Sequence, residues 1–312
     1  MQWTHPKTEE GLLATIRQIE ECRHSGAMDE LGNGLLAMSF LVKWVGSDNL
    51  EPPFERSRTL ALEALEVFTS IGHRKGECRA LRQSVPNSSP EQQQEFFARA
   101  TLIAEELGDD AEVARTLAAR ARATLRSNRA EAEQLLRSAL EIFQELGDRI
   151  GEASTHFSLV SCVSASEEKY TNGVSAFEAY RQCGVPDDAV KALVLAMHYG
   201  SMCEPRPELE SLLEQGVELA TSIDDHSSMA SFYVHLALLE SERGDSDKAQ
   251  RYLDLQAESR SAREQANEID ERNSLMKTLK KMIDALEIEG DQAGAAEFRQ
   301  QLELLISPPG SA

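Results

Sequence analysis

Aromatic residues are scarce: Phe, Trp and Tyr make up only 5% of the 312 residues, whereas hydrophobic residues as a group make up 41%. There are few runs in which Val, Ile, Thr or aromatic residues alternate with polar ones, so the pattern of a β-sheet is missing. A core rich in Ala and Leu instead favours helices that pack with their backbones close together. The sequence therefore predicts an all-α fold.

Basic charge is also in short supply, since 32 basic residues face 53 acidic ones and the formal net charge is -21. A field of this sign repels nucleic acid and anionic membrane surfaces, so we expect neither as a partner. No stretch approaches the roughly 20 apolar residues of a transmembrane helix, and the first residues lack the pattern of a secretory signal. We expect a soluble, cytoplasmic protein. The excess of Arg over Lys is typical of a GC-rich bacterial source.

The cysteines are few and scattered. Their number is odd and no two form a C-x-x-C pair, so neither a disulfide framework nor a zinc site is indicated. We predict that they are reduced and act as small core residues. They are Cys22, Cys78, Cys162, Cys183 and Cys203.

Catalytic and cofactor motifs are missing as well. The chain has no G-x-S-x-G, no phosphate-binding G-x-x-x-x-G-K-[ST], no H-E-x-x-H and no dinucleotide-binding glycine fingerprint. Cys22 with His24, and His198 with Cys203, lack the further ligands that a tetrahedral metal site requires. We therefore predict no catalytic residue, no cofactor and no metal.

A repeated unit is the strongest feature that is present. Each copy has an apolar helix, a short turn usually marked by Gly and Asp, and a second helix that begins with a small residue. A further small residue in the first helix, which leads each copy, lets two helices approach closely. The Gly of the turn ends the first helix in the left-handed conformation, and the Asp caps the second helix. We thus interpret the Gly-Asp pair as a structural turn and not as a phosphate or metal site. The small residues that lead the copies are 36 to 40 residues apart: Ala64, Ala100, Ala139, Ala176 and Gly216.

The segment Gly147-Asp148-Arg149-Ile150-Gly151-Glu152-Ala153 resembles the turn of tetratricopeptide repeats of the Gly-Asp-x-x-Gly-Glu-Ala variety. The resemblance covers most of the chain, and its best copies lie between residues 58 and 165. The strong Trp, the Leu-Gly pair and the late Pro of the family are mostly absent, and the spacing exceeds the usual length of about 34 residues. The resemblance implies a right-handed superhelical solenoid of about seven antiparallel helix pairs with a partner-binding concave groove. Similar repeats form the C-terminal regions of bacterial signalling ATPases and transcription activators.

The repeat and its turn residues predict one repeat domain over residues 1–306 and a disordered tail over 307–312. The long, charged helices over 246–266 and 268–289 suit a terminal cap or a homodimer contact. The predicted helices cover 8–25, 27–45, 54–71, 74–84, 90–107, 110–127, 130–146, 149–163, 167–182, 186–201, 207–222, 225–243, 246–266, 268–289 and 291–306.

The binding face of the predicted groove follows from helical spacing. Counted from the turn Gly, the face opposite the core lies about seven, ten, fourteen and seventeen residues further on. These positions hold no acidic residue, although the chain is strongly acidic. They give the predicted partner-binding residues: Arg79, Arg82, Arg115, Arg122, Ser154, Phe157, Lys191, His198, Ser231 and Val234.

The basic residues on this face predict a site for an acidic peptide or a carboxylate, because a planar guanidinium binds a carboxylate through two parallel hydrogen bonds. They are Arg79, Arg82, Arg115, Arg122 and Lys191. The alternative, that they are surface arginines paired with nearby glutamates, stays open. The leading functional hypothesis is a non-catalytic interaction scaffold or adaptor that binds a peptide or helix of a partner protein in its groove. The alternative function is the sensor or regulatory repeat region of a larger bacterial signalling ATPase or transcription activator.

Overall fold

The computed structural model describes residues 9–43, 53–200, 208–289 and 292–306, which contain helices and connecting turns but no strand. The all-α prediction is therefore confirmed. None of the described helices is long and apolar enough to cross a membrane. The helices are α1 (Glu9–Ser25), α2 (Met28–Leu41), α3 (Pro53–Ser70), α4 (Arg74–Ser84), α5 (Pro90–Leu107), α6 (Asp110–Thr124), α7 (Arg129–Leu146), α8 (Arg149–Cys162), α9 (Ser166–Gln182), α10 (Pro186–Gly200), α11 (Leu209–Ser222), α12 (His226–Arg243), α13 (Ser246–Glu289) and α14 (Gln292–Ile306).

The chain divides into two compact units. In unit 1, which contains α1 to α9, each helix packs against the next, and α2, α4, α6 and α8 also contact one another in that order. In unit 2, which contains most of α10 and all later helices, α11 to α14 also pack in succession. Successive contacts of this kind characterise a helical repeat. One continuous domain over 1–306 stays a prediction, and the predicted tail lies outside the described residues.

The turns have the predicted chemistry. Gly108 and Gly147 end their helices with positive φ angles of 59° and 66°. Asp109 and Asp148 then cap the next helix by accepting a hydrogen bond from the backbone N–H three residues further on. In the fifth copy Asp224 takes the place of the glycine and adopts the same left-handed conformation, with φ at 54°. These caps explain why the helices around Gly108 and Gly147 stop and restart where the repeat predicts.

The small residues that lead the copies all lie in the core, as predicted. The four alanines have no exposed surface. A Cβ added to Gly216 would lie 2.6 Å from Leu193 Cδ2 and 2.9 Å from Phe232 Cε2, so even alanine would clash there. The prediction that these positions allow close helix packing is confirmed.

One predicted helix boundary is wrong. The helices expected over 246–266 and 268–289 are a single helix, α13, which runs from Ser246 to Glu289. No Gly or Pro occurs between these ends. Asn267, the residue between the two predicted helices, destabilises a helix by less than about 1 kcal/mol relative to alanine. The backbone therefore continues as a helix through this residue.

The cap at Asp109 gives a pH-dependent prediction. A hydrogen bond from Lys75 and the bond from the backbone N–H of Glu112 lower the pKa of Asp109 despite partial burial. Because the folded pKa lies below the unfolded one, this stabilisation is complete above the ordinary aspartate pKa of about 4 and is lost as the pH falls below it. Asp109→Ala should cost about 1 kcal/mol near neutral pH.

Urea unfolding of wild type and Asp109→Ala, near pH 7 and near pH 3, measures this difference directly. We expect the difference in unfolding free energy to shrink at the acidic pH. A difference that stays constant would show that the charge of Asp109 contributes nothing to the cap.

Candidate functional site

A cavity of about 1060 Å³ lies in unit 1 along α4 and α6. The end of α2, the start of α3 and the beginning of α8 complete its wall, together with residues of α5 and α7. Helix α6 turns its small residues Ala118, Ala119 and Ala123 to the cavity, which leaves space that longer side chains would fill. We call this space the α4/α6 cavity.

The wall of the α4/α6 cavity is strongly basic. One acidic residue, Asp148, lies among the lining residues. This balance is the reverse of that in the whole chain, where acidic residues outnumber basic ones by 53 to 32. The cavity thus concentrates positive charge in a protein of negative net charge. The basic lining residues are Lys43, Arg79, Arg82, Arg115, Arg122 and Arg126.

Helical periodicity brings the arginines together. On α6, Arg115 and Arg122 are about two turns apart on the cavity side, and Arg126 lines the cavity just after the helix ends. On α4, Arg79 and Arg82 are three residues apart and face the same space. Since α4 and α6 contact each other, the two rows form adjoining parts of one wall.

Half of the predicted partner-binding residues line this cavity, namely Arg79, Arg82, Arg115, Arg122 and Ser154. Phe157 lies on α8 in unit 1 but is half-buried and is not a lining residue. His198 is exposed, and its ring meets that of Tyr199 edge-on.

The other predicted residues belong to unit 2. Lys191 is exposed and pairs with Asp188 at 3.4 Å, while Ser231 and Val234 are half-buried on α12. A binding role for this part of the predicted groove stays a prediction.

A buried acid holds two of the cavity arginines. Glu112 Oε2 lies 2.6 Å from Arg82 Nη1, and Glu112 Oε1 accepts a 3.1 Å hydrogen bond from Arg115. The first contact lacks hydrogen-bond geometry, so charge attraction holds it. Arg115 also donates to Asp148 Oδ2 at 2.9 Å. The result is a chain of ion pairs from Arg82 through Glu112 and Arg115 to Asp148.

Glu112 occupies a position where neighbouring copies of the repeat have glycine. In two copies a phenylalanine is followed eight residues later by Gly76 or Gly151, and an added Cβ would lie 2.3 Å from the Phe68 ring or 2.4 Å from the Phe143 ring. In the copy formed by α5 and α6, the phenylalanine is replaced by Ala104. Without the aromatic ring, the second position can hold a long side chain such as that of Glu112.

The turn between α12 and α13 has a pair of residues with the same spacing, and these two residues face each other. Glu240 and Lys248 are also eight residues apart, and their side chains form an ion pair at 2.7 Å. The residue at the position that holds Glu112 therefore varies between copies.

Arg79, Arg122 and Arg126 have a different environment. Arg79 donates to the neutral side-chain oxygen of Asn33 at 3.1 Å. Within the described ranges, no acidic side chain forms an ion pair with Arg122 or Arg126. The Arg122 side chain has solvent-exposed surface, although other residues of the cavity wall lie around it. The burial that these neighbours cause, and secondly the positive charge of Arg82, lower the pKa of Arg122. These groups carry the uncompensated charge of the site.

Three features of the cavity were missed by the sequence reasoning. Arg126 follows Arg122 by four residues, so helical spacing alone indicates it. Lys43 lies just after α2, where burial lowers the pKa of its ammonium group. Glu112 gives no signal in its own copy, because only the loss of phenylalanine at Ala104 makes room for it.

Among the residues that the structure describes, no group of three or more His, Cys, Asp or Glu side chains could hold a metal ion. Cys22, Cys78, Cys162 and Cys183 are free thiols, and burial raises the pKa of the first three. Cys203 lies outside the described residues.

No protein-family model and no curated protein matches the chain. Among solved structures, the crystal structure of the apo form of RapI is similar over 81% of this chain and 99% of that one, with 14% sequence identity and a TM-score of 0.45. A likeness of this size places the chain in no family.

Proposed function

We propose that this protein is a non-catalytic interaction module of the tetratricopeptide-like type, and that its α4/α6 cavity binds an acidic segment of a partner protein in the cytoplasm. The observation that carries the proposal is the concentration of six basic side chains around one cavity of a chain whose net charge is -21. Guanidinium groups in a partly desolvated cavity attract carboxylates more strongly than they do on an open surface.

The remaining lining residues favour a peptide over a free inorganic anion. Val85, Pro86 and Phe97 give the cavity apolar surface that a side chain of a bound segment can cover. Gln83 also lines the cavity and adds a neutral polar side chain to this apolar surface.

The overall charge argues against a polyanion as partner. A long nucleic acid on the cavity would face the many acidic residues elsewhere on the chain, which outnumber the basic ones. A short acidic segment meets the local positive field and extends little beyond it.

Fluorescence anisotropy with two labelled peptides tests the proposal. The acidic probe consists of glutamates interspersed with leucines and glycines, and the neutral probe has glutamine in place of every glutamate. We expect the acidic probe to bind at least roughly tenfold more tightly, and its affinity to fall as salt is added, because salt screens partly exposed charges. Equal affinity for the two probes would refute the proposal, as would tighter binding of a labelled single-stranded DNA than of the acidic probe.

A further inference from the structure

The basic side chains around the α4/α6 cavity differ in how far their charge is already compensated. Arg82 and Glu112 have only 11% and 2% of their side-chain surface exposed, and Arg115 joins them to Asp148. A ligand carboxylate could reach Arg82 only by displacing Glu112, which would leave that acid buried without its partner, at a high cost. Arg115 is 42% exposed, but both of its Nη groups already donate to acids, Nη1 to Glu112 and Nη2 to Asp148.

The three remaining arginines of the cavity differ from Arg82 and Arg115 in their partners. Arg79 is held by a neutral amide, and Arg122 and Arg126 pair with no acid in the described part of the chain. Burial, and secondly repulsion from the positive charge of Arg82, lower the pKa of Arg122. A ligand carboxylate next to Arg122 would relieve this repulsion instead of disrupting an existing pair.

We infer that the carboxylates of the ligand bind Arg79, Arg122 and Arg126, whereas Glu112 and Asp148 keep Arg82 and Arg115 out of contact with the ligand. This inference rests on the proposed function and divides the basic wall into a ligand-binding set and a structural set. Arg122 and Arg126 both line the cavity and are four residues apart in sequence, with Arg126 just past the end of α6. The site is therefore suited to a segment with at least two acidic side chains.

The test compares a ligand-binding arginine with a structural ion pair. Arg122→Met removes one guanidinium from the proposed ligand set and keeps a chain of similar length. The double variant Arg82→Met/Glu112→Gln removes one positive and one negative charge from the structural set, so the net charge of the protein is unchanged. Affinity for the acidic probe and the midpoint of urea unfolding are measured for both variants and for wild type.

We expect Arg122→Met to bind the acidic probe roughly tenfold more weakly, since it loses a charge-assisted hydrogen bond. Its urea midpoint should equal or exceed that of wild type, because a repulsion with Arg82 is removed. The double variant should keep its affinity within about threefold of wild type, because the replaced ion pair is structural.

Two results would overturn the inference. In the first, Arg122→Met binds the acidic probe as tightly as wild type. In the second, the double variant remains folded by circular dichroism and loses as much affinity as Arg122→Met. Failure of the proposed function is distinct from both, because wild type itself would then bind the acidic and neutral probes equally.

Discussion

Phe143→Ala is expected to lower the free energy of unfolding by about 3–5 kcal/mol, the usual cost of removing a fully buried phenylalanine. The ring has only 2% of its surface exposed and packs on the backbone of Gly151 in the next helix. Its loss leaves a cavity between α7 and α8 that the rigid helix backbones cannot close. Urea unfolding followed by far-ultraviolet circular dichroism measures the change.

A double-mutant cycle with Gly151 tests whether these two positions form the packing unit of the repeat. Gly151→Ala alone should cost about 1–3 kcal/mol, because its Cβ would overlap the Phe143 ring. Once the ring is gone this overlap disappears, so the double variant should be more stable than the sum of the two costs predicts.

The matched control combines Gly151→Ala with Phe68→Ala, since Phe68 packs on Gly32 and Gly76 in another copy. The losses of unfolding free energy caused by Gly151→Ala and by Phe68→Ala should be additive. Additivity in both cycles would mean that the size of the residue across the turn does not govern the position that Glu112 occupies in its own copy.

Reversing two charges of the ligand-binding set should abolish recognition of acidic peptides. In Arg79→Glu/Arg122→Glu, two attractive contacts become repulsive ones, and like charges placed together in an interface cost several kcal/mol. We expect affinity for the acidic probe to fall by roughly 100-fold or more, while affinity for the neutral probe changes little. Fluorescence anisotropy at low salt gives both values.

The variant Arg17→Glu/Arg251→Glu is the control for net charge. It changes the net charge of the protein by the same amount as Arg79→Glu/Arg122→Glu. Both residues are exposed, lie outside the cavity lining, and form no ion pair within the described ranges. This variant should bind the acidic probe nearly as well as wild type. A similar loss in the two double variants would assign the effect to the long-range field and not to the cavity.

Much of the fold could be predicted from the sequence because its information is local. A glycine such as Gly147 followed by Asp148 specifies the end of one helix and the start of the next within a few residues. The repeat spacing that places these turns also predicts that the small residues Ala64 and Ala139 are buried. The helix end predicted at Asn267 is wrong because a polar residue of modest helix propensity stops a helix only when the surrounding packing requires it.

Part of the lining of the α4/α6 cavity could be predicted for a related reason, while its binding role stays a prediction. Helical spacing placed Arg79 and Arg122 on one face, and the structure does put both on the α4/α6 cavity. Spacing could not show which arginines are already paired, since Arg82 and Arg115 meet Glu112 and Asp148 through contacts that include other helices. That distinction depends on a tertiary contact made possible by a missing phenylalanine, and no rule of local sequence contains it.

The most direct measurement of the central claim observes the arginine side chains themselves. Nuclear magnetic resonance of the ¹⁵N-labelled guanidinium Nε–H groups, assigned with single Arg→Lys variants, follows each arginine as the acidic probe is added. The signals of Arg79, Arg122 and Arg126 should shift with a common saturation curve, while those of Arg17 and Arg251 stay in place. Saturable binding of the probe that leaves the three cavity arginines unshifted would contradict an acidic-segment site in the α4/α6 cavity.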